Sequence, residues 1–131
     1  MEFDHVIESR RSIRKFQSQK VEQSKINRLL EAARLCQSAK NRQPWKFQVL
    51  TDSRKDEIAD IMLSLFERNN VDLPGYVNSS KYSAEIIKNA DVLLLVFREK
   101  DDAWNIGDLL SIGAAIEHVC LEAVNLDLGS V

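Results

Sequence analysis

The stretch WNIGDLLSIGAAIEHVCLEAVN, Trp104–Asn125, carries apolar residues on more than one face of a helix. Ile106, Leu109, Leu110, Ile112, Ala114, Ala115, Ile116, Val119, Cys120, Leu121, Ala123 and Val124 are too many and too widely spread for a single stripe. Such a helix must be covered, either inside a domain or between subunits, and Gly113-Ala114-Ala115 would admit a second backbone closely. In a chain of 131 residues a subunit interface is a serious candidate for that cover.

Working outward from this helix, the remaining periodicities describe one domain over residues 1–131, helical for the most part, with two short strands. Phe3, Val6 and Ile7 share one face of a helix from Phe3 to about Arg10. Ile26, Leu29, Leu30, Ala33 and Cys36 do the same over Glu22 to Cys36, where the polar run QSAKNRQP ends the helix and Pro44 bars its continuation. WKFQVLT, Trp45–Thr51, alternates as a half-buried strand does. Ile58, Ile61, Met62, Leu65 and Phe66 mark another helix, and Asn69–Tyr82, with Pro74-Gly75 inside it, reads as a mobile loop or lid. DVLLLVF, Asp91–Phe97, is apolar on both faces and is expected to be a central, covered strand. REKDD, Arg98–Asp102, reads as a solvated turn of mixed charge.

Composition narrows the function. Eighteen Lys and Arg stand against twenty Asp and Glu, for a net charge of −2, which argues against the broadly basic surface of a nucleic-acid binder. Cys36 and Cys120 have no CxxC or Cys/His spacing, so no metal ligation is expected and both read as buried, reduced thiols. The charged N-terminus does not resemble a signal peptide, and no apolar run approaches the ~20 residues of a membrane span. The expectation is a soluble, cytoplasmic protein. His5 and His118 have no triad partners, and neither GxGxxG nor GxxxxGK[ST] occurs, so a bound phosphate would have to be held by side chains.

ESRRSIRKFQ, Glu8–Gln17, offers such side chains. Arg10, Arg11, Arg14 and Lys15 fall within six residues, with Ser12 among them. Arginine presents a fork of donors matching phosphate oxygens, and charge-assisted bonds contribute about 1.5–3 kcal/mol each. An extended chain beyond the first helix would send Ser12 and Arg14 to one side, leaving Ile13 and Phe16 to anchor the segment in the core. On residue types alone a solvated charged surface is the favoured reading, because charge runs usually face water. SAKNRQPWKFQVL, Ser38–Leu50, adds Ser38, Asn41 and Gln43, groups that both donate and accept and so suit a planar heterocycle with carbonyl and imide edges. A capped turn beside a buried tryptophan is the plainer reading.

RRSIRKF, SAKNRQPWKF and DLLSIGAAIEHVCLEAVNLDLGSV occur in an order and spacing that resembles the nitroreductase family of FMN-dependent oxidoreductases across essentially the whole chain. The resemblance implies an α+β fold with a central, mostly antiparallel sheet flanked by helices and a long buried helix at a dimer interface. It assigns Arg10, Ser12 and Arg14, with Arg11 contributing, to the FMN phosphate and ribityl chain. Ser38 and Asn41, with Gln37 and Ala39 as backbone neighbours, would reach the flavin from the partner subunit. Gln43, Pro44 and Trp45 would be structural support. NAD(P)H would be the electron donor, and a nitroaromatic, quinone or similar small molecule the acceptor, in a homodimer with FMN at the subunit interface. No side chain need act as a general base, and no metal, nucleic acid or membrane is implied. The family continues beyond Val131 into a strand and a C-terminal segment with a further phosphate-binding cation, so the C-terminal part of the fold is expected to be absent here. Two other readings are a non-catalytic flavin-binding or interaction module of the same fold, and a helical domain whose basic run docks an acidic partner or lipid.

Overall fold

The computed structural model describes residues 2–68 and 76–131. Its elements are α1 (Phe3–Ser9), α2 (Gln23–Arg34), a short 3₁₀ turn (Ala39–Asn41), β1 (Trp45–Thr51), α3 (Asp52–Arg68), α4 (Tyr76–Asn89), β2 (Val92–Arg98), a second 3₁₀ turn (Asp102–Trp104) and α5 (Asn105–Asn125). The chain divides into two compact units, one of Met1–Arg14, Val21–Phe47 and Val96–Val131, the other of Lys15–Lys20 and Gln48–Leu95.

The first unit is built on α5, against which α2 and α1 pack. One stripe of α5 is buried, Asp108, Ser111, Ala115, Val119 and Ala123, at the three- and four-residue steps of a single helix face. Helix α2 buries Ile26, Leu29 and Ala33 at the same steps, and alanines on both helices allow a close approach. Three cross-links show that the helices run antiparallel. Lys25 Nζ donates to Leu126 O at 2.9 Å, Arg28 Nη2 to Glu122 Oε1 at 2.7 Å, and His118 Nδ1 lies 3.2 Å from Ala32 O. As the number rises along α2, it falls along α5.

Outside that stripe the apolar residues of α5 are less covered in this chain: Ile112, Ala114, Cys120, Leu121 and Val124 are half-buried, and others are open to solvent. Ile106 is 75 % and Leu110 70 % exposed, with Leu109 and Ile116 also outward. A Cβ built on Gly113 would meet nothing within 4 Å. The expected all-round cover is therefore provided on one side only by α1 and α2. The helix ends in a Schellman arrangement, with Leu128 N–H donating to Ala123 O at 2.8 Å, Asp127 N–H to Val124 O at 3.0 Å, and Asp127 left-handed at φ 57°. This turn sends the chain back towards the first helix. Ser130 then forms a parallel bridge with Ser12, and Ile13 N–H donates to Ser130 O at 2.8 Å.

In the second unit α3 packs on α4 through Ala59 and Ala84, both fully buried. Lys55, only 4 % exposed, satisfies all three of its ammonium donors: Ile87 O at 3.0 Å, Lys88 O at 2.9 Å and Asp56 Oδ1 at 2.6 Å. The two carbonyls belong to the last turn of α4, whose C-terminal dipole a cation suits. Lys88 pairs with Asp60, and Lys20 with Asp52 at 3.0 Å.

The two strands form a two-stranded sheet, β1 beside β2. The expectation of a central, covered β2 is corrected here. With one strand neighbour among the described residues, its residues are half-buried and Phe97 is 50 % exposed. The expected lid is corrected in part: Tyr76–Tyr82 is the start of α4, and residues 69–75 lie outside the described residues. Ile13, expected to anchor the basic segment in the core, is instead a partly exposed residue seated against Gly129.

Candidate functional site

The basic segment leaves α1 at Arg10, which closes the helix by donating its backbone N–H to Val6 O. Helix α1 ends because Arg10 turns extended, at φ −58° and ψ 127°, and the chain runs on as an extended strip pinned at Ser12 by Ser130. Arg10 Nε lies 3.6 Å from Glu117 Oε1 on α5. Arg11 Nη1 donates to two backbone carbonyls, Glu8 O at 2.8 Å and Arg10 O at 2.7 Å, and Arg14 Nη1 reaches Ser12 O at 3.5 Å. Neither Arg11 nor Arg14 forms an ion pair among the described residues. Two exposed arginines without a carboxylate partner among the described residues thus bracket Ser12 along the strip. That donor set suits a phosphate such as that of FMN: with Nη1 of each on backbone carbonyls, the cations still lack a carboxylate partner among the described residues and keep their charge for an external dianion.

The second predicted group, Gln37, Ser38, Ala39 and Asn41, lies on the turn between α2 and β1. Gln37 is exposed, and its carbonyl accepts from Cys36 Sγ at 3.3 Å. Ser38 Oγ accepts the backbone N–H of Gln43 at 3.0 Å, while Ser38 O accepts from Asn41 N–H at 3.0 Å. Ala39 N–H donates to Ser111 Oγ at 3.1 Å, and that hydroxyl donates to Gly107 O at 2.8 Å. The Asn41 side chain is exposed. Lys40, Asn41 and Gln43 are left-handed, at φ 55°, 53° and 48°. Outside glycine such a backbone costs about 1–2 kcal/mol per residue, less for asparagine, so the turn needs external restraint.

Sequence reasoning missed the restraint itself. Arg42, right-handed at φ −66°, sends Nε to Asp108 Oδ1 at 2.9 Å and Nη2 to Asp108 Oδ2 at 3.1 Å. The same Nη2 also reaches Asp101 Oδ2 at 2.9 Å, and the guanidinium carbon lies 4.7 Å from the Trp104 ring centroid. Asp108 is 1 % exposed. Its hydrogen bonds from Arg42 hold its carboxyl below the ordinary carboxylate range against the opposing effect of burial, and those to Asp108 raise Arg42 in turn. A signal was present: an aspartate on the apolar side of a helix needs a buried partner. Asp101, expected in a solvated turn, also caps the second 3₁₀ turn by accepting Ala103 N–H at 3.1 Å. The nearby Arg98 Nη2 donates to Asn105 Oδ1 at 2.6 Å, while its buried Nη1 has no hydrogen-bond partner among the described residues.

The two predicted groups are anchored to α5 at different places. Arg10 sits at Glu117, Ala39 at Ser111, about 9 Å apart along the axis and roughly a third of a turn apart around it. No hydrogen bond among the described residues joins them. An open groove of about 670 Å³ lies beside Arg42, lined also by Trp45, Lys46, Lys100 and Asp102, and contains none of the eight predicted residues. Among the described residues no cluster of His, Cys, Asp or Glu could hold a metal ion, and no helix is long and apolar enough to cross a membrane. Cys36 is buried, which pushes its thiol up, and Cys120 is half-buried.

This is an α+β chain with a basic strip at the end of its first helix and a strained polar turn ahead of its first strand. It matches the sequence profile of the Nitroreductase family over residues 7–131, and it belongs to that family. It is 33 % identical over 126 residues to an Archaeoglobus fulgidus protein with the provisional name NADH dehydrogenase/NAD(P)H nitroreductase, covering 96 % of this chain and 63 % of that one. It is 26 % identical over 103 residues to the 4-nitrobenzoate reductase of Pseudomonas putida, covering 79 % of this chain and 40 % of that one. A Desulfovibrio desulfuricans protein solved in complex with FMN has the same fold, with a TM-score of 0.76 and 26 % identity over 97 % of this chain and 64 % of that one. The chain thus spans 40 % and 63 % of the lengths of these two curated relatives.

Proposed function

We propose that the chain is part of an FMN-dependent oxidoreductase that takes electrons from NAD(P)H and passes them to a nitroaromatic, quinone or similar small acceptor. The observation that carries this reading is that Arg11 and Arg14, which bracket Ser12 in the chain, are exposed and have no carboxylate partner among the described residues. In this reading Arg10, Arg11, Ser12 and Arg14 hold the FMN phosphate and ribityl chain. Gln37, Ser38, Ala39 and Asn41 meet the ring from a second copy of the chain. The separate anchoring of the two groups on α5, and the apolar residues that α5 leaves exposed, both support a homodimer. Bound FMN supplies reversible two-electron, hydride-accepting chemistry. The protein's share is charge neutralisation at one end and amide and hydroxyl hydrogen bonding at the other, without a general base.

The test is a visible absorption spectrum of the purified chain after incubation with FMN and desalting, followed by oxidation of NADH and NADPH with a nitroaromatic acceptor. Retained flavin bands with nicotinamide oxidation are expected, and Arg14→Ala is expected to weaken FMN binding about tenfold or more. A folded chain that emerges without flavin would count against the reading. Retention of flavin without nicotinamide oxidation would favour a non-catalytic flavin-binding module.

A further inference from the structure

The turn bearing Ser38, Ala39 and Asn41 has no glycine, yet three of residues 40–43 are left-handed. Its internal hydrogen bonds, Asn41 N–H to Ser38 O, Arg42 N–H to Ala39 O and Gln43 N–H to Ser38 Oγ, close the turn locally but do not attach it to anything. Attachment comes from the first two turns of α5. Ser111 Oγ takes the Ala39 N–H, and both oxygens of buried Asp108 take the Arg42 fork. A fork on a carboxylate fixes two points and therefore an orientation, which a single ammonium bond does not. Asp101 and the Trp104 ring hold the same guanidinium from other sides. Arg42 thus has four restraints and is flanked by Asn41, whose exposed side chain is in the predicted set.

We propose that Arg42 and Asp108 are positioning residues for FMN: their two-point pairing holds the strained turn so that Ser38, Ala39 and Asn41 are presented in binding geometry before the cofactor arrives. The proposal rests on the FMN reading above. It assigns a binding role to two residues that would otherwise pass as an ordinary ion pair to a buried aspartate. Preorganisation of this kind acts through affinity, because a turn that must be reordered on binding subtracts that ordering from the gain.

The experiment titrates FMN against the purified apo-chain by quenching of flavin fluorescence, with a thermal melt and far-ultraviolet circular dichroism on each variant. Arg42→Ala is expected to raise the FMN Kd about tenfold, the size of one charge-assisted interaction. Arg42→Lys keeps the cation without the fork. It is expected to melt near the wild type while still losing at least about threefold in affinity, which keeps the test informative where Arg42→Ala does not fold. Asn41→Ala separates positioning from general support: if Arg42 acts through the turn, adding Arg42→Ala to Asn41→Ala costs less than about threefold. Equal losses in both backgrounds, full rescue by lysine, or an unchanged Kd in Arg42→Ala would each overturn the proposal while leaving the FMN reading intact. A folded wild-type chain with no measurable FMN binding overturns both.

Discussion

Asp108 and Lys55 are charged side chains placed where only partners make charge tolerable, and each makes a prediction. Asp108 is held below its ordinary carboxylate pKa by hydrogen bonds from Arg42. Its folded value is depressed, so its contribution is full above the unfolded value near ~4 and is lost as pH falls through the lower folded value. Acid unfolding followed by circular dichroism should steepen below that point in the wild type. Asp108→Asn should lose this component and melt at a lower temperature at pH 7, because a neutral amide in the buried Asp108 position accepts only one of the two Arg42 hydrogen bonds. Lys55 donates to two terminal carbonyls of α4 and to Asp56. Lys55→Met leaves those carbonyls without their donor, and a loss of about 2 kcal/mol in a denaturant titration is expected. A loss under a few tenths would mean that water replaces the ammonium.

Helix α5 carries a buried stripe and an exposed one, and the two have different jobs. The buried stripe packs α2 and holds Asp108 and Ser111 towards the polar turn. The exposed stripe, with Ile106, Leu109 and Leu110, is where a second copy would pack under the homodimer proposal. Leu110→Glu places a charge in that contact and should shift the elution volume on size exclusion from dimer to monomer without changing the far-ultraviolet spectrum. An unchanged dimer would remove this stripe from the interface. The extended strip after α1 depends equally on its partner at the other terminus. A Cβ at Gly129 would stand 2.9 Å from Ile13 Cγ2 and 3.0 Å from Ile13 Cβ. Gly129→Ala is therefore expected to cost about 1–3 kcal/mol and to weaken FMN binding by displacing the Ser12–Ser130 bridge. Normal affinity in a destabilised Gly129→Ala chain would show that the bridge does not position the cations.

Across the whole chain, α1, α2, α3, α5 and both strands were legible in the sequence because each is set by local periodicity, whereas α4 was not. Trp45–Thr51 alternates and is β1, and α1, α2 and α5 stand within about two residues of their apolar patterns. The nitroreductase resemblance was legible too, carried by three blocks at their spacing, and the Nitroreductase family profile bears it out over residues 7–131. What failed were inferences from apolar content to cover. DVLLLVF is apolar on both faces, yet among the described residues β2 has one strand neighbour, and cover is a property of neighbours rather than of the strand. Asn69–Tyr82 read as a loop from Pro74-Gly75, but proline and glycine mark a boundary, and the residues from Tyr76 onward are helical.

By itself, the sequence determined the places of α1, α2, α3, α5 and the two strands, and the family, since these follow from short-range pattern and motif spacing; it did not give α4. Only the tertiary structure decided that Arg42 closes on Asp108 across 66 positions, that Ser12 is pinned by Ser130, and that Arg11 and Arg14 lack carboxylate partners among the described residues. Charge pairing over such distances depends on which surfaces the packing of α5 against α2 and α1 brings together, and no local pattern in the chain encodes that meeting.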